Sequence, residues 1–284
     1  MNLLNYIPVI DTINFRQFEI GVLRLDKIHT DVSGNKWFKL KYNLQQARIE
    51  NKNCIITFGG AFSNHILATA VACKINGFKS IGIIRGEETS ALNSTLTLAK
   101  QHGMALQFVS REMYQQKNNV DYLEGLQKQY QQAYIIPEGG DNDLGAKGCT
   151  EILTEITSTY QSVFCAFGTG TTFKGLSQSL QKHQQLTAIH VLKYEAKTSL
   201  TQCEINNNYH FGGYAKHSAE LLEFKIWFEN EYDIPLDYVY TAKLFFAVFD
   251  LINQNKISSN QKLLNIHSGG LQGNKGYEER YNLL

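Results

Sequence analysis

Gly168-Thr169-Gly170-Thr171-Thr172 is a run with plain chemical potential in this 284-residue chain. It stands between a strand-like Ser162-Val-Phe-Cys-Ala-Phe167 and a helix-like stretch opening Phe173-Lys-Gly-Leu. Glycines let the backbone come close to a ligand, freed amides at a helix start point outward, and threonine hydroxyls add donors. Such a run can cradle an anion. Gly34-Asn35-Lys36 offers something else. Trp37, Leu40, Leu44 and Ala47 fall on one helical face, which puts Lys36 at a helix N-terminus. The helix dipole disfavours a cation there, and Lys39 one turn on repels it. Both effects lower the pKa of Lys36 and make its amine a nucleophile toward a carbonyl. Ser63-Asn64-His65 follows Cys54-Ile-Ile-Thr-Phe58 and a Gly59-Gly60 turn, the end of a buried strand where parallel sheets place ligands.

Each segment also has a plain structural use. The glycine-threonine run caps a helix, Lys36 is a surface lysine in a turn, and Ser63 is an N-cap with Asn64 and His65 at the surface. His267-Ser268-Gly269-Gly270 ends another strand as an ordinary turn, Tyr240 packs, and Phe211-Gly212-Gly213-Tyr214 is a tight turn. Taken together, an activated amine and an anion cradle are what a phosphorylated aldehyde cofactor requires.

The elements that would position these residues alternate. Strands at 54–58, 80–84, 105–109 and 133–136 are separated by helices near 63–76, 91–101 and 122–131. A second series follows: a helix over about 144–160, strand 163–167, a helix from Thr172, strand 187–192, helices over 219–230 and 242–253, and strand 263–267. This rhythm predicts an α/β fold with parallel sheets flanked by helices. No linker or repeat divides the chain, so two domains would be interwoven, with Gly139-Gly140 as a crossing point.

Hydrophobic residues make up 43% and charged residues 19%, enough for a sizeable core in a soluble protein. The formal net charge is +1 with no basic stripe, which argues against nucleic acid or a membrane surface as partner. The five cysteines (Cys54, Cys73, Cys149, Cys165, Cys203) show no CxxC pair, and no metal site is expected. Unpaired cysteines in apolar runs and a start without a charged, apolar leader lead to the expectation of a cytoplasmic protein.

The segments occur in a familiar order: Gly34-Asn-Lys36, Ser63-Asn-His65, Ile136-Pro-Glu-Gly-Gly140, Gly168-Thr-Gly-Thr-Thr172, Val239-Tyr-Thr-Ala-Lys243 and His267-Ser-Gly-Gly270. Over nearly its whole length the chain resembles the pyridoxal 5′-phosphate (PLP) family containing D-cysteine desulfhydrase and 1-aminocyclopropane-1-carboxylate (ACC) deaminase, with the tryptophan synthase β-subunit fold. The resemblance implies two interwoven domains, each an open, mostly parallel twisted sheet: a large PLP-binding domain of residues 1–38 and 146–284, and a small inserted domain of 39–145. It implies that Lys36 bonds the cofactor aldehyde, that Asn64 contacts the cofactor's 3′ oxygen, and that Gly168, Thr169, Gly170, Thr171 and Thr172 bind the phosphate. Ser63 would hold the substrate carboxylate or assist proton transfer. Tyr240 would lie by the cofactor ring and substrate, with Ser268 beside the cofactor and His65 and Thr241 among the substrate-binding residues. A homodimer is implied as well.

ACC deaminases of this family carry Glu and Leu where this chain has Thr241 and Ser268, while desulfhydrase-like members carry small hydroxyl residues. A carboxylate beside the pyridine nitrogen keeps it protonated and strengthens the electron sink; a hydroxyl suffices for a good leaving group such as sulfide. The expected activity is therefore β-elimination from a small amino acid, D-cysteine first, to pyruvate, sulfide and ammonia. ACC deamination is the alternative within the class, and a non-catalytic PLP carrier the alternative outside it. A nucleotide-binding reading of the glycine-threonine loop is weaker, since no dinucleotide fingerprint with a downstream acid is present. Three departures from the family pattern bear on substrate: Ser268 for threonine, Ala242 for glycine, and Leu25-Asp26-Lys27 in place of a more polar run.

Overall fold

A computed structural model describes residues 6–29, 32, 34–88 and 91–283. The chain opens with a hairpin, β1 (Ile10–Phe15) and β2 (Phe18–Arg24), followed by α1 (Asn35–Ile49). Next come β3 (Cys54–Gly60), α2 (Asn64–Asn76), β4 (Lys79–Arg85), α3 (Ser94–Gln101), β5 (Met104–Val109), α4 (Arg111–Gln115), α5 (Val120–Gln129) and β6 (Ala133–Ile136). A short α6 (Asp143–Cys149) leads to β7 (Ser162–Phe167), α7 (Thr171–Ser179), β8 (Gln185–His190) and β9 (Cys203–Asn206). The chain closes with α8 (Ala219–Tyr232), α9 (Thr241–Asn253), β10 (Leu263–His267) and α10 (Asn274–Tyr281).

Two sheets result. One has the order β1-β2-β10-β7-β8-β9, the other β5-β4-β3-β6. Every neighbouring pair is parallel except β1 with β2. Parallel strands need helical crossovers that cover both faces, which is why β3 and β10 are continuous buried runs. Each sheet has its own apolar packing. Phe228, Phe245, Val248 and Phe249 of α8 and α9 pack on Ile20 and Val22 of β2, while Leu40, Leu44, Ile66 and Ala70 of α1 and α2 pack on Ile55. Each of these side chains other than Ala70 contributes roughly 1.5–3 kcal/mol on full burial.

Glycines set the seam between the layers. A Cβ on Gly148 of α6 would collide with the Phe38 carbonyl of α1, and one on Gly175 of α7 would collide with Cys149 of α6. The three helices therefore meet backbone to backbone.

The long helix expected over 144–160 ends at Cys149; a separate 3-10 turn, Glu155–Thr157, follows. The Thr154 backbone N–H donates to the Thr157 hydroxyl, which donates back to the Thr154 carbonyl, and this local bonding competes with a continuing helix. The helix expected from residue 91 begins at Ser94 behind an Asn93 cap, and that near 122 begins at Val120 behind an Asn119 cap. The β1–β2 hairpin, α4, β9 and α10 have no counterpart in the sequence-based outline. Among the described residues no helix is long and apolar enough to cross a membrane.

Candidate functional site

The C-terminal ends of β3, β7 and β10 and the first turns of α1, α2 and α7 open on one cavity of about 610 Å³. Its wall includes Lys36, Ser63, Asn64 and His65 from one half of the chain, and Gly168, Thr169, Gly170, Thr172, Tyr240 and Ser268 from the other. Residues more than two hundred positions apart thus share one space.

Lys36 reaches this wall because of what precedes it. Gly34 has φ of 72°, and a Cβ there would strike the Ser268 carbonyl, which accepts from the Asn35 backbone N–H at 3.1 Å. Only glycine lets α1 start flush against the end of β10. The Lys36 Nζ donates to Asn35 Oδ1 at 2.7 Å and lies 5.9 Å from the centre of the Tyr240 ring. Its pKa is lowered from 10.5 to about 7, first by burial and next by the Lys39 charge, against the pull of Asp237 and Cys149. Lys39 repulsion is the cause the sequence suggests; burial, the larger one, comes from the fold. Lys39 is itself buried and lines the cavity, and burial lowers its pKa too. Asn35 Nδ2 donates to Thr172 Oγ1 at 2.9 Å, tying the amine's helix to the glycine-threonine loop.

That loop starts α7 with Gly170 at φ of 93°. Thr171 donates to Asp141 Oδ1 at 2.6 Å, so the 3.0 Å contact between Thr169 and Thr171 has Thr169 as donor. Two of the three hydroxyls thus point into protein bonds. Thr172 accepts from Asn35, and its hydroxyl also meets the buried Cys149 thiol.

Ser63 caps α2, accepting from the Ile66 N–H at a long 3.4 Å, so its hydroxyl is weakly held. Asn64 donates through Nδ2 to the Gly270 carbonyl at 3.2 Å, while its buried Oδ1 has no partner. His65 is not a surface side chain; it is 2% exposed. Its Nε2 lies 2.9 Å from Thr57 Oγ1, which donates its own proton to the Ile136 carbonyl, so Nε2 must carry the hydrogen. Burial, then the charges of Lys36 and Lys39, lower its pKa to about 3. The ring is a neutral tautomer with an unpartnered Nδ1.

Tyr240 immediately precedes α9, and its ring meets Gly168 so closely that a Cβ there would sit 3.1 Å from it. Burial holds its phenol well above the ordinary pKa. Thr241 is fully buried and does not reach the cavity wall. Its hydroxyl donates to Asp237 Oδ1 at 2.8 Å, one layer behind the position a substrate contact requires. Asp237 takes that place on the wall. It accepts from the backbone N–H groups of Val239, Tyr240 and Thr241 at 2.9, 3.0 and 2.7 Å and so shapes the start of α9. An acidic residue four positions before an apolar helical run is a capping signal that could have revealed it.

Two further features were not visible in the sequence. Tyr214 lines the cavity with its ring 6.4 Å from that of Tyr240. His267, behind Ser268, donates from Nε2 to the Pro235 carbonyl at 2.7 Å and meets Asp26 Oδ1 at 3.1 Å. Arg24 grips the same Asp26 at 2.9 and 2.6 Å. Burial works to raise the Asp26 pKa, but these bonds outweigh it and hold the carboxyl well below the usual range. Leu25 is core, while Asp26 pairs with Arg24 and His267 and Lys27 with Asp11, so the run that looked too apolar keeps two paired charges.

With this geometry in view, the comparisons are specific. Residues 22–209 match the model of the family described as pyridoxal-phosphate dependent enzyme. A provisionally named 1-aminocyclopropane-1-carboxylate deaminase of Thermotoga maritima is 30% identical over 285 residues, covering 90% of each chain. The bifunctional D-cysteine desulfhydrase/1-aminocyclopropane-1-carboxylate deaminase of Arabidopsis thaliana is 27% identical over 292 residues, covering 90% of this chain and 73% of that one. The crystal structure of an ACC deaminase homologue superposes with a TM-score of 0.85 at 25% identity, covering 100% of this chain and 95% of that one. The α/β architecture with two mostly parallel sheets agrees with these relatives, and the chain belongs to the pyridoxal-phosphate dependent enzymes, with PLP as its cofactor.

Proposed function

We propose that this enzyme is a lyase that removes a β substituent from a small amino acid, with D-cysteine as the first substrate to test and pyruvate, sulfide and ammonia as products. The observation that carries the reading is the Lys36 amine, with a pKa of about 7, facing Tyr240 in the same cavity as Ser63, Asn64 and the Gly168–Thr172 loop. The cavity's own atoms suit the cofactor. A near-neutral amine suits an aldehyde, the unpartnered Asn64 Oδ1 suits a ring hydroxyl, and the glycine-bearing start of α7 suits a phosphate. When bound, PLP supplies an electrophilic aldehyde and a ring that draws electrons from the substrate's Cα.

The chain's residues supply the rest. Lys36 Nζ would hold the cofactor and, with substrate bound, would take the Cα proton; a pKa near 7 suits both tasks at neutral pH. The weakly capped Ser63 hydroxyl turns to the substrate carboxylate at little expense to α2. Tyr240 keeps its proton and can give it to a departing β group. Ser268 and the neutral His65 complete the polar wall. Thr241 acts from behind, through Asp237. We further propose residues 39–145 as the small inserted domain, since the four-stranded sheet lies wholly within them.

The preference for D-cysteine over ACC rests on Ser268 at the cavity wall, where the ACC deaminases carry Leu, and on Thr241, which stands where they carry Glu and bears on the cavity only through Asp237. Parallel assays of sulfide and ammonia release test it. Ammonia from ACC without sulfide from D-cysteine would reverse the assignment.

A further inference from the structure

Lys243 is fully buried and lines no part of the cavity. Its Nζ donates to the His210 carbonyl at 2.8 Å and to the Gly213 carbonyl at 2.7 Å. Those carbonyls do not need it. The His210 carbonyl already accepts from the Gly213 N–H at 2.9 Å, and the Gly213 carbonyl accepts from the Lys216 N–H at 3.2 Å. What the lysine adds is a tie between this loop and α9.

The loop is one that would otherwise relax. Phe211, Gly212, Gly213 and Ala215 have φ of 50°, 90°, 110° and 52°. The two non-glycine residues, Phe211 and Ala215, are held in the left-handed region that L side chains rarely adopt. Tyr214 sits between Gly213 and Ala215, and its ring faces Tyr240 at 6.4 Å. Tyr240 lies three residues before Lys243, at the head of the same helix. One helix start therefore sets both tyrosines, one by sequence and the other by a strap.

We infer that Lys243 is a positioning residue that holds the strained 210–215 loop so that the Tyr214 ring stays edge-on to that of Tyr240 at the wall of the catalytic cavity. The inference rests on the reading of that cavity as the active site. Burial lowers the Lys243 pKa to about 8, yet the neutral amine still has two N–H groups for the two carbonyls. The strap should therefore survive deprotonation.

Three measurements test this. In the wild-type apoprotein, the Gly213 and Lys216 amides should exchange hydrogen with the slow class of α9; exchange at the rate of a free surface loop overturns the strap without any variant. In the Lys243→Met apoprotein, the same amides should exchange at least about tenfold faster while the amides of β10 do not change. With PLP bound, Lys243→Met should lower kcat about tenfold or more in a Tyr214-containing enzyme and have little further effect in a Tyr214→Ala background. An equal loss in both backgrounds would mean that Lys243 does not act through Tyr214. The two exchange measurements need neither cofactor nor substrate, so they stand even if D-cysteine is not turned over.

Discussion

Lys36 and Lys243 are the same residue in nearly the same place, each in the first turn of a helix that begins at the edge of the cavity. Burial lowers both pKa values, to about 7 and about 8. Their partners differ. Lys243 is surrounded by backbone carbonyls that take its hydrogens, so it is used up as a fastener. Lys36 meets a single amide oxygen and an aromatic face, and another lysine lies one turn away. A buried amine becomes reactive when the fold denies it acceptors and structural when the fold supplies them.

The comparison breaks most sharply at Lys36. Lys36→Ala should abolish the visible absorption band of the PLP-loaded protein and lower turnover by about a thousandfold or more. A band that survives would move the covalent attachment to another side chain.

Asp237 tests whether the α9 start is as rigid as the strap requires. Asp237→Ala leaves three backbone N–H groups, that of Thr241 buried, without their acceptor and should cost roughly 2–4 kcal/mol of stability in urea denaturation. A loss below about 0.5 kcal/mol would show that the helix start is held by other bonds.

The third test uses pH. Lys36 is neutral above about pH 7, so capture of PLP by the apoprotein should rise with pH through a midpoint near 7. Removing a like charge with Lys39→Met should move that midpoint upward. The same shift has a stability sign. The folded state favours the neutral amine, so this group's contribution is most favourable above its ordinary 10.5 and is lost as pH falls toward 7. A midpoint above 10 would make Lys36 an ordinary lysine.

The smallest effect is expected at Ser63. Its cap is long, so Ser63→Ala should cost less than about 1 kcal/mol of stability while raising KM for the amino acid. A stability loss above that, with KM unchanged, would make it a cap and nothing more.

Much of the fold was legible in the sequence because β3, β4, β7 and β10 are buried runs closed by local signals, and Ser63 and Gly77 bound α2 as their residue types suggest. The glycine-bearing ends of those strands also pointed to where the cavity opens. What escaped depends on distant partners. Nothing near His65 in the chain announces Thr57 and the Ile136 carbonyl, which bury it and choose its tautomer. Asp26 gains its meaning from His267, far along the chain. Tyr214 looked like part of a turn, because the helix that holds the turn in place starts after it in sequence.

The contact of Gly34 with Ser268 orders events during synthesis. The helix carrying Lys36 is anchored to the end of β10, which is made more than two hundred residues after it. A nascent chain halted before Leu263 would have the four-stranded sheet but no anchor for Lys36, so loading with the coenzyme should wait until β10 has been made. Coloured holoprotein in such stalled chains would show that the early half builds its own site.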